Sequence, residues 1–154
     1  MITVNSLADH PDLVSQVVNI AWSEWGDTLT EEDHQRWLRD AEEDCRSNSK
    51  FSAGFVALSG HMPVGVVQLH EYDLEDMQDR SPWICGMVVK PEYRGLGIAR
   101  RLLQALESFA GARGVERLWV FTESAPDFYE RCGWSPYAEA LNDGEPGMIL
   151  TKRL

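Results

Sequence analysis

The stretch that most constrains this chain is residues 83–122, where strand, glycine-bearing turn, helix and strand follow in immediate succession. Trp83–Val89 is apolar and rich in β-branched residues, which suits a pleated, buried strand. Beyond Lys90-Pro91 and the turn, Ile98, Leu102, Leu103, Leu106, Phe109 and Ala110 recur at helical spacing on one face, and Gly111–Gly114 stops the helix. Arg117–Thr122 then reads as a second buried strand. A helix between two such strands makes them the parallel portion of a sheet.

The remaining segments enlarge that unit. Ile2–Leu7 reads as a short strand, and Leu13, Val17, Val18, Ala21, Trp22 and Trp25 keep helical spacing behind His10-Pro11. A second helix starts at Thr30, whose hydroxyl can cap the amide three residues on, with Glu31, Glu32 and Asp33 at the positive end of the dipole. Its apolar stripe is only Trp37, Ala41 and Cys45. Phe51–Leu58 and Val64–His70 form a hairpin around Gly60, and a polar loop, Asp73–Ser81, leads into Trp83. Pro126–Arg131 is a short helix ended by Gly133, and Trp134–Ala140 with Gly147–Lys152 are closing strands. The expected class is α/β (α+β): a mixed, mostly antiparallel central sheet of six to seven strands with helices on both faces. Without repeats or linkers, residues 1–154 are expected to form one domain.

Composition narrows the functions. No stretch approaches the roughly 18 apolar residues of a membrane span, and the amino terminus lacks the basic-then-apolar order of a signal peptide. A cytoplasmic protein with no membrane partner is expected. Cys45, Cys85 and Cys132 are far apart, as are His10, His34, His61 and His70, so no pair has zinc-site spacing and no metal is expected. Residues 1–80 hold 16 acids against 5 Lys plus Arg, whereas residues 81–154 hold 9 of each. An acidic surface repels phosphate backbones and attracts cations, which argues against nucleic acid and for an amine substrate, unless these acids only solubilise the surface.

The turn itself carries chemistry. Gly95 and Gly97 let the backbone approach a ligand closely, and the first amides of the following helix, around Ile98, Ala99 and Arg100, point free N–H groups outward. Arg94, Arg100 and Arg101 add positive charge where a diphosphate would sit. A nucleoside-triphosphate loop, G-x-x-x-x-G-K-[ST], is absent, and a dinucleotide fingerprint would need a glycine at Arg100. Arg94-x-x-Gly97-x-Ala99 resembles the Q/R-x-x-G-x-G/A signature of the GNAT acetyltransferases. Ala125 to Trp134 resembles that family's downstream A-x-x-F-Y-x-x-x-G-[FW] motif, and the element order is similar from end to end. A looser likeness to acetyltransferases of protein amino termini runs through Leu13–Trp25 and Ala105–Gly114.

The resemblance implies an acyl-CoA N-acyltransferase fold, acetyl-CoA as co-substrate and direct attack by an amine on the thioester. Gly95, Leu96, Gly97, Ile98, Ala99 and Arg100 would hold the pyrophosphate, and the backbones of Met87, Val88 and Val89 the pantetheine arm. Tyr129 is the implied general acid and also borders the cofactor. Relatives often place an acid in the strand before the turn, but Trp83 to Gly86 contain none, so the base is sought at Glu71, Asp73, His70 or Glu123, or in water. Thr122 stands where an asparagine often bonds the cofactor. Trp22, Trp25, Asp73 and Trp83 are candidates for the acceptor site; with Trp37, the first two tryptophans either wall an aromatic pocket for a cation or pack the core. The acceptor is expected to be cationic, either a small polyamine or aminoglycoside-like compound or a peptide or protein amino group. The alternative is a catalytically inactive, acyl-CoA-binding module of the same fold. The closing strands leave a homodimer open.

Overall fold

A computed structural model describes residues 1–46, 52–74 and 77–154. Phe51, expected in a strand, and residues 75–76 of the expected loop lie outside the described residues. In chain order the elements are β1 (Ile2–Ser6), α1 (Val14–Trp25), α2 (Glu31–Arg46), β2 (Ala53–Ser59), β3 (Met62–His70) and β4 (Trp83–Val89). There follow α3 (Ile98–Ala112), β5 (Arg117–Thr122), α4 (Pro126–Arg131), β6 (Ser135–Asn142) and β7 (Glu145–Arg153). The strands make one sheet in the order β1-β2-β3-β4-β5-β7-β6. Every neighbouring pair is antiparallel except β4 and β5. The expected parallel pair is therefore present, flanked on both sides by antiparallel strands.

Strand alternation sorts the core into two layers. Val67 and Leu69 of β3 face α3, whose Leu102, Leu103 and Leu106 are essentially sealed from solvent. Val66 of β3 and Val88 of β4 face the other way, against Val14, Val17 and Val18 of α1 and Ala41 of α2. Helix α2 begins with a reciprocal cap: the Thr30 N–H donates to Asp33 Oδ2 at 2.9 Å, and the Asp33 N–H to Thr30 Oγ1 at 3.2 Å. That cap aims a strongly charged helix across the sheet with only a narrow apolar contact, so much of its inward side remains polar.

The parallel pair is short. β4 and β5 are in register only at Trp83–Trp119 and Ile84–Val120, and beyond that point the strands part. β4 stays with β3, although its register shifts so that Cys85 opposes Gln68 and Val88 opposes Val66, with Gly86 at φ +71° inside the bulge. β5 stays with β7 over its whole length. Each strand follows its antiparallel partner, and a wedge opens between them.

A close approach holds one side of that wedge. A Cβ on Gly147 of β7 would lie 2.6 Å from Phe121 Cε2 and 2.8 Å from the Thr122 carbonyl oxygen. The ring could swing aside but the strand carbonyl could not. Gly147→Ala is expected to cost about 1–3 kcal/mol, read as a fall in melting temperature of roughly 2–4 °C per kcal/mol.

Candidate active site

The cradle is built at the head of α3. Gly95 and Gly97 take left-handed backbone at φ +80° and +79°, a region open to glycine at little cost, and Gly97 is the N-cap. A Cβ on either glycine would meet nothing within 4 Å, so the turn is open above its backbone. The first helical bond runs from the Arg101 N–H to the Gly97 carbonyl at 3.1 Å. The amides of Ile98, Ala99 and Arg100 therefore have no acceptor in the helix, and the dipole makes that end positive. Ile98 itself is buried beneath, and Leu96 is 66% exposed on the lip.

The arginines are tied to protein groups. Arg94 donates from Nε to the Val89 carbonyl at 2.9 Å and from Nη2 to Glu24 Oε2 at 3.1 Å, which pins the turn to both β4 and α1. Arg100 Nη2 donates to the Arg131 carbonyl at 3.4 Å, linking α3 to α4, and Arg101 Nη1 donates to the Ile2 carbonyl at 2.9 Å. Positive potential over the cradle thus comes chiefly from main-chain N–H groups, with Arg94 fixed beside them.

A cavity of about 860 Å³ continues from this cradle through the wedge to the α1–α2 side of the sheet. Met87, Val88, Val89, Thr122 and Tyr129 border it, as do Ala99 and Arg94. Since β4 and β5 no longer pair there, main-chain groups of 86–89 that would have faced β5 are available to an extended ligand. Thr122 Oγ1 accepts the Ala125 N–H at 3.0 Å and so shapes the entry to α4.

Tyr129 is 5% exposed, packed edge-on against Phe128 and Trp134 at ring separations of 5.2 and 5.5 Å. Burial pushes its phenol well above the ordinary value, and the neighbouring Cys132 and Cys85 add to the shift. It therefore holds its proton throughout the neutral range.

The cavity wall is acidic. Among the described residues, Glu24, Asp40, Asp44, Asp73 and Glu123 line it against the single guanidinium of Arg94 and the imidazole of His70. Glu24 pairs with Arg94, and His70 Nε2 stands 2.9 Å from Asp44 Oδ2. Asp40, Asp73 and Glu123 enter no ion pair among the described residues. Asp73 is exposed at the mouth, yet crowding protein atoms desolvate its carboxyl enough to raise its pKa, against a hydrogen bond from Cys85 and the nearby His70 that lower it. Burial also raises Asp44, but the His70 and Ser52 contacts outweigh it and leave that carboxyl below its ordinary range.

The residues proposed from sequence divide accordingly. The structure brings together Met87, Val88, Val89, Arg94, Ala99, Thr122, Glu123, Tyr129, Trp25 and Asp73 around one cavity. Gly95, Leu96, Gly97, Ile98 and Arg100 form the cradle at its end. Glu71 lies outside, exposed and hydrogen-bonded to Tyr72. Trp83 is fully buried against Trp119, because β4 alternation points it into a small cluster with Leu74 and Ile149. Trp22 packs behind the wall, tilted over His34 and edge-on to Trp37, while Trp37 reaches the cavity. Sequence reasoning missed Asp40 and Asp44. Their signal was present, since Trp37, Asp40, Ala41 and Asp44 follow the i, i+3, i+4, i+7 spacing of one helical face.

Known proteins share this fold. The model of the acetyltransferase (GNAT) family matches residues 14–134, and the chain belongs to that family. N-alpha-acetyltransferase 80 of Mus musculus is 36% identical over 76 residues, 49% of this chain and 23% of that protein. The chain therefore spans about a quarter of the length of the curated relative it matches. An aminoglycoside 6'-N-acetyltransferase solved with coenzyme A superposes with a TM-score of 0.76 at 15% identity, over 98% of this chain and 96% of that one. The PaiA N-acetyltransferase of Thermoplasma acidophilum, also solved with coenzyme A, gives 0.69 at 18%, over 100% and 99%. At these identities the structural likeness establishes the acyltransferase fold. Among the described residues no helix is long and apolar enough to cross a membrane.

Proposed function

We propose that the chain is an acetyl-CoA-dependent N-acetyltransferase whose acceptor is a primary amine carrying further positive charge. The observation that carries the reading is one continuous cavity with a main-chain anion cradle at one end and unpaired carboxylates along its wall. Amides of the α3 head bind the pyrophosphate, and the parted edge of β4 holds the pantetheine arm as an added strand. Bound acetyl-CoA supplies an activated carbonyl, so direct attack needs no covalent nucleophile on the protein. Tyr129 donates its proton to the departing sulfur. Its raised pKa suits that role, because the dry surroundings that hold the phenol protonated also raise the basicity of a thiolate formed beside it. The phenol stays competent as pH rises, so no alkaline loss of kcat from Tyr129 is expected up to about pH 10, its ordinary pKa.

Asp40, Asp73 and Glu123 attract and orient the cationic acceptor. Asp40→Asn is expected to raise KM for a diamine several-fold, since a partly solvated ion pair contributes up to about 1 kcal/mol. KM for acetyl-CoA should not change, and the difference should shrink as ionic strength rises. Steady-state kinetics at two salt concentrations check both statements.

Release of free thiol from acetyl-CoA, measured across a panel of monoamines, diamines, aminoglycosides and peptides, tests the assignment. Turnover with polycations supports it. Coenzyme A binding without thiol release for any amine would instead make the chain a non-catalytic acyl-CoA-binding module. A peptide amino terminus is the second reading, supported by the segment shared with the mouse N-alpha-acetyltransferase.

A further inference from the structure

Acetyl transfer to an ammonium needs a group that takes the amine's proton, and β4 has no acid at residues 83–86. We infer that His70, oriented by Asp44, is that group, an inference that rests on the transferase reading above. His70 ends β3 and points to the α1–α2 side of the sheet, where Asp44 of α2 stands 2.9 Å from its Nε2. Asp44 is anchored in turn, since Oδ1 accepts the Ser52 hydroxyl at 2.9 Å. Both His70 and Asp44 line the cavity.

The ring is disposed for the task. Nε2 is sealed from solvent and stands 2.9 Å from Asp44 Oδ2, a contact that becomes an ion pair only when the ring is protonated. The side chain as a whole is 37% exposed, and the residue lines the cavity. A carboxylate beside one nitrogen favours a proton there and leaves the other nitrogen to accept one. The charged or titratable groups around it are Asp44 from α2, Asp73 from the loop after β3 and Cys85 from β4. Asp73 lies on the loop after β3 without an ion pair among the described residues, the Cys85 thiol donates to the Trp83 carbonyl, Glu123 lies at the end of β5, and Glu71 is outside the cavity.

The protons balance. The acceptor ammonium gives one proton to Nδ1, and its freed lone pair forms the C–N bond at the thioester carbonyl carbon. The C–S bond breaks and sulfur takes the proton of Tyr129. The second proton leaving nitrogen restores the phenol through water, and His70 passes its own to solvent. One proton is released for each amide formed.

The test is the pH dependence of kcat/KM for the full chain, using a diamine whose ammonium groups ionise above the range studied. His70→Gln is expected to lose about a hundredfold or more in kcat/KM, together with the acid-side limb. Thermal stabilisation by acetyl-CoA should remain, which shows the fold intact. Added imidazole should restore turnover to His70→Ala. Asp44→Asn is expected to lower kcat by about tenfold while keeping the limb and the KM for acetyl-CoA, as fits a positioning residue. Carbethoxylation of the wild type, mapped by peptide mass, is a check free of folding effects: activity should fall in step with modification of His70. Loss of activity that follows another histidine overturns the inference. So does a His70→Gln variant that keeps its acid limb and lies within about threefold of the wild type. A wild type that releases no thiol with any amine overturns the transferase reading as well, which separates the two failures.

Discussion

Gly97→Glu is expected to abolish binding of acetyl-CoA while leaving the protein folded. Gly97 caps α3 with φ +79°, and nothing lies within 4 Å of where a Cβ would be, so a side chain has room and the cost is backbone strain. That strain amounts to about 1–2 kcal/mol for a residue with a Cβ. The carboxylate, however, would settle where the Ile98, Ala99 and Arg100 amides point, satisfying those donors and repelling a diphosphate from the positive end of the helix. For the wild type, acetyl-CoA at a hundred times its Kd should add about 2.7 kcal/mol to stability, a rise in melting temperature of roughly 5–10 °C for a chain of this size. The variant should show none. Gly97→Ala carries the same strain without the charge and should retain part of the shift. A Gly97→Glu protein stabilised as fully as the wild type would mean that the diphosphate is bound elsewhere.

Tyr129→Phe should lower kcat by about a hundredfold or more, the usual contribution of a positioned general acid. The ring would keep its edge-on packing against Phe128 and Trp134, and among the described residues no hydrogen bond of the hydroxyl is lost. Stability and the KM for acetyl-CoA should therefore barely change. Because the hydroxyl acts only as the C–S bond breaks, kcat and kcat/KM should fall together. Leaving-group dependence gives a second readout: a thioester whose thiol is more acidic should recover part of the lost rate in the variant. A variant within about twofold of the wild type would show that the leaving sulfur takes its proton from water.

Legibility from sequence followed how local each signal is. The Gly95–Gly97 turn was readable because left-handed backbone at a helix start is a property of a few consecutive residues. Thr30 was readable as a cap for the same reason, and the structure shows its reciprocal bond with Asp33. Trp83 was misplaced at the acceptor site because strand alternation says that a residue is buried on one face without saying what covers that face; Trp119 and Leu74 cover it. Asp40 and Asp44 share the face of α2 that carries Trp37, Ala41 and Cys45, but a thin apolar stripe does not distinguish acids that turn inward from acids that face solvent. Glu71 and Asp73 are two residues apart after β3, the first expected as a catalytic base and the second also at the acceptor site; the chain path sets Asp73 at the cavity and Glu71 outside it.

Residue order alone determined which segments become strands and helices, which face of α3 is buried and where free amides gather, since these depend on spacing over a few residues. Tertiary structure alone decided that β4 and β5 part after two paired positions, because β4 follows β3 on one side while β5 follows β7, which comes in the chain only after α4 and β6. It also decided that Asp44 meets His70 across 26 positions of chain, a contact produced by helix-to-sheet packing that no pattern of single residues encodes. Short-range periodicity records which groups seek burial, and only the summed packing of the whole core sets where the remaining polar groups face one another.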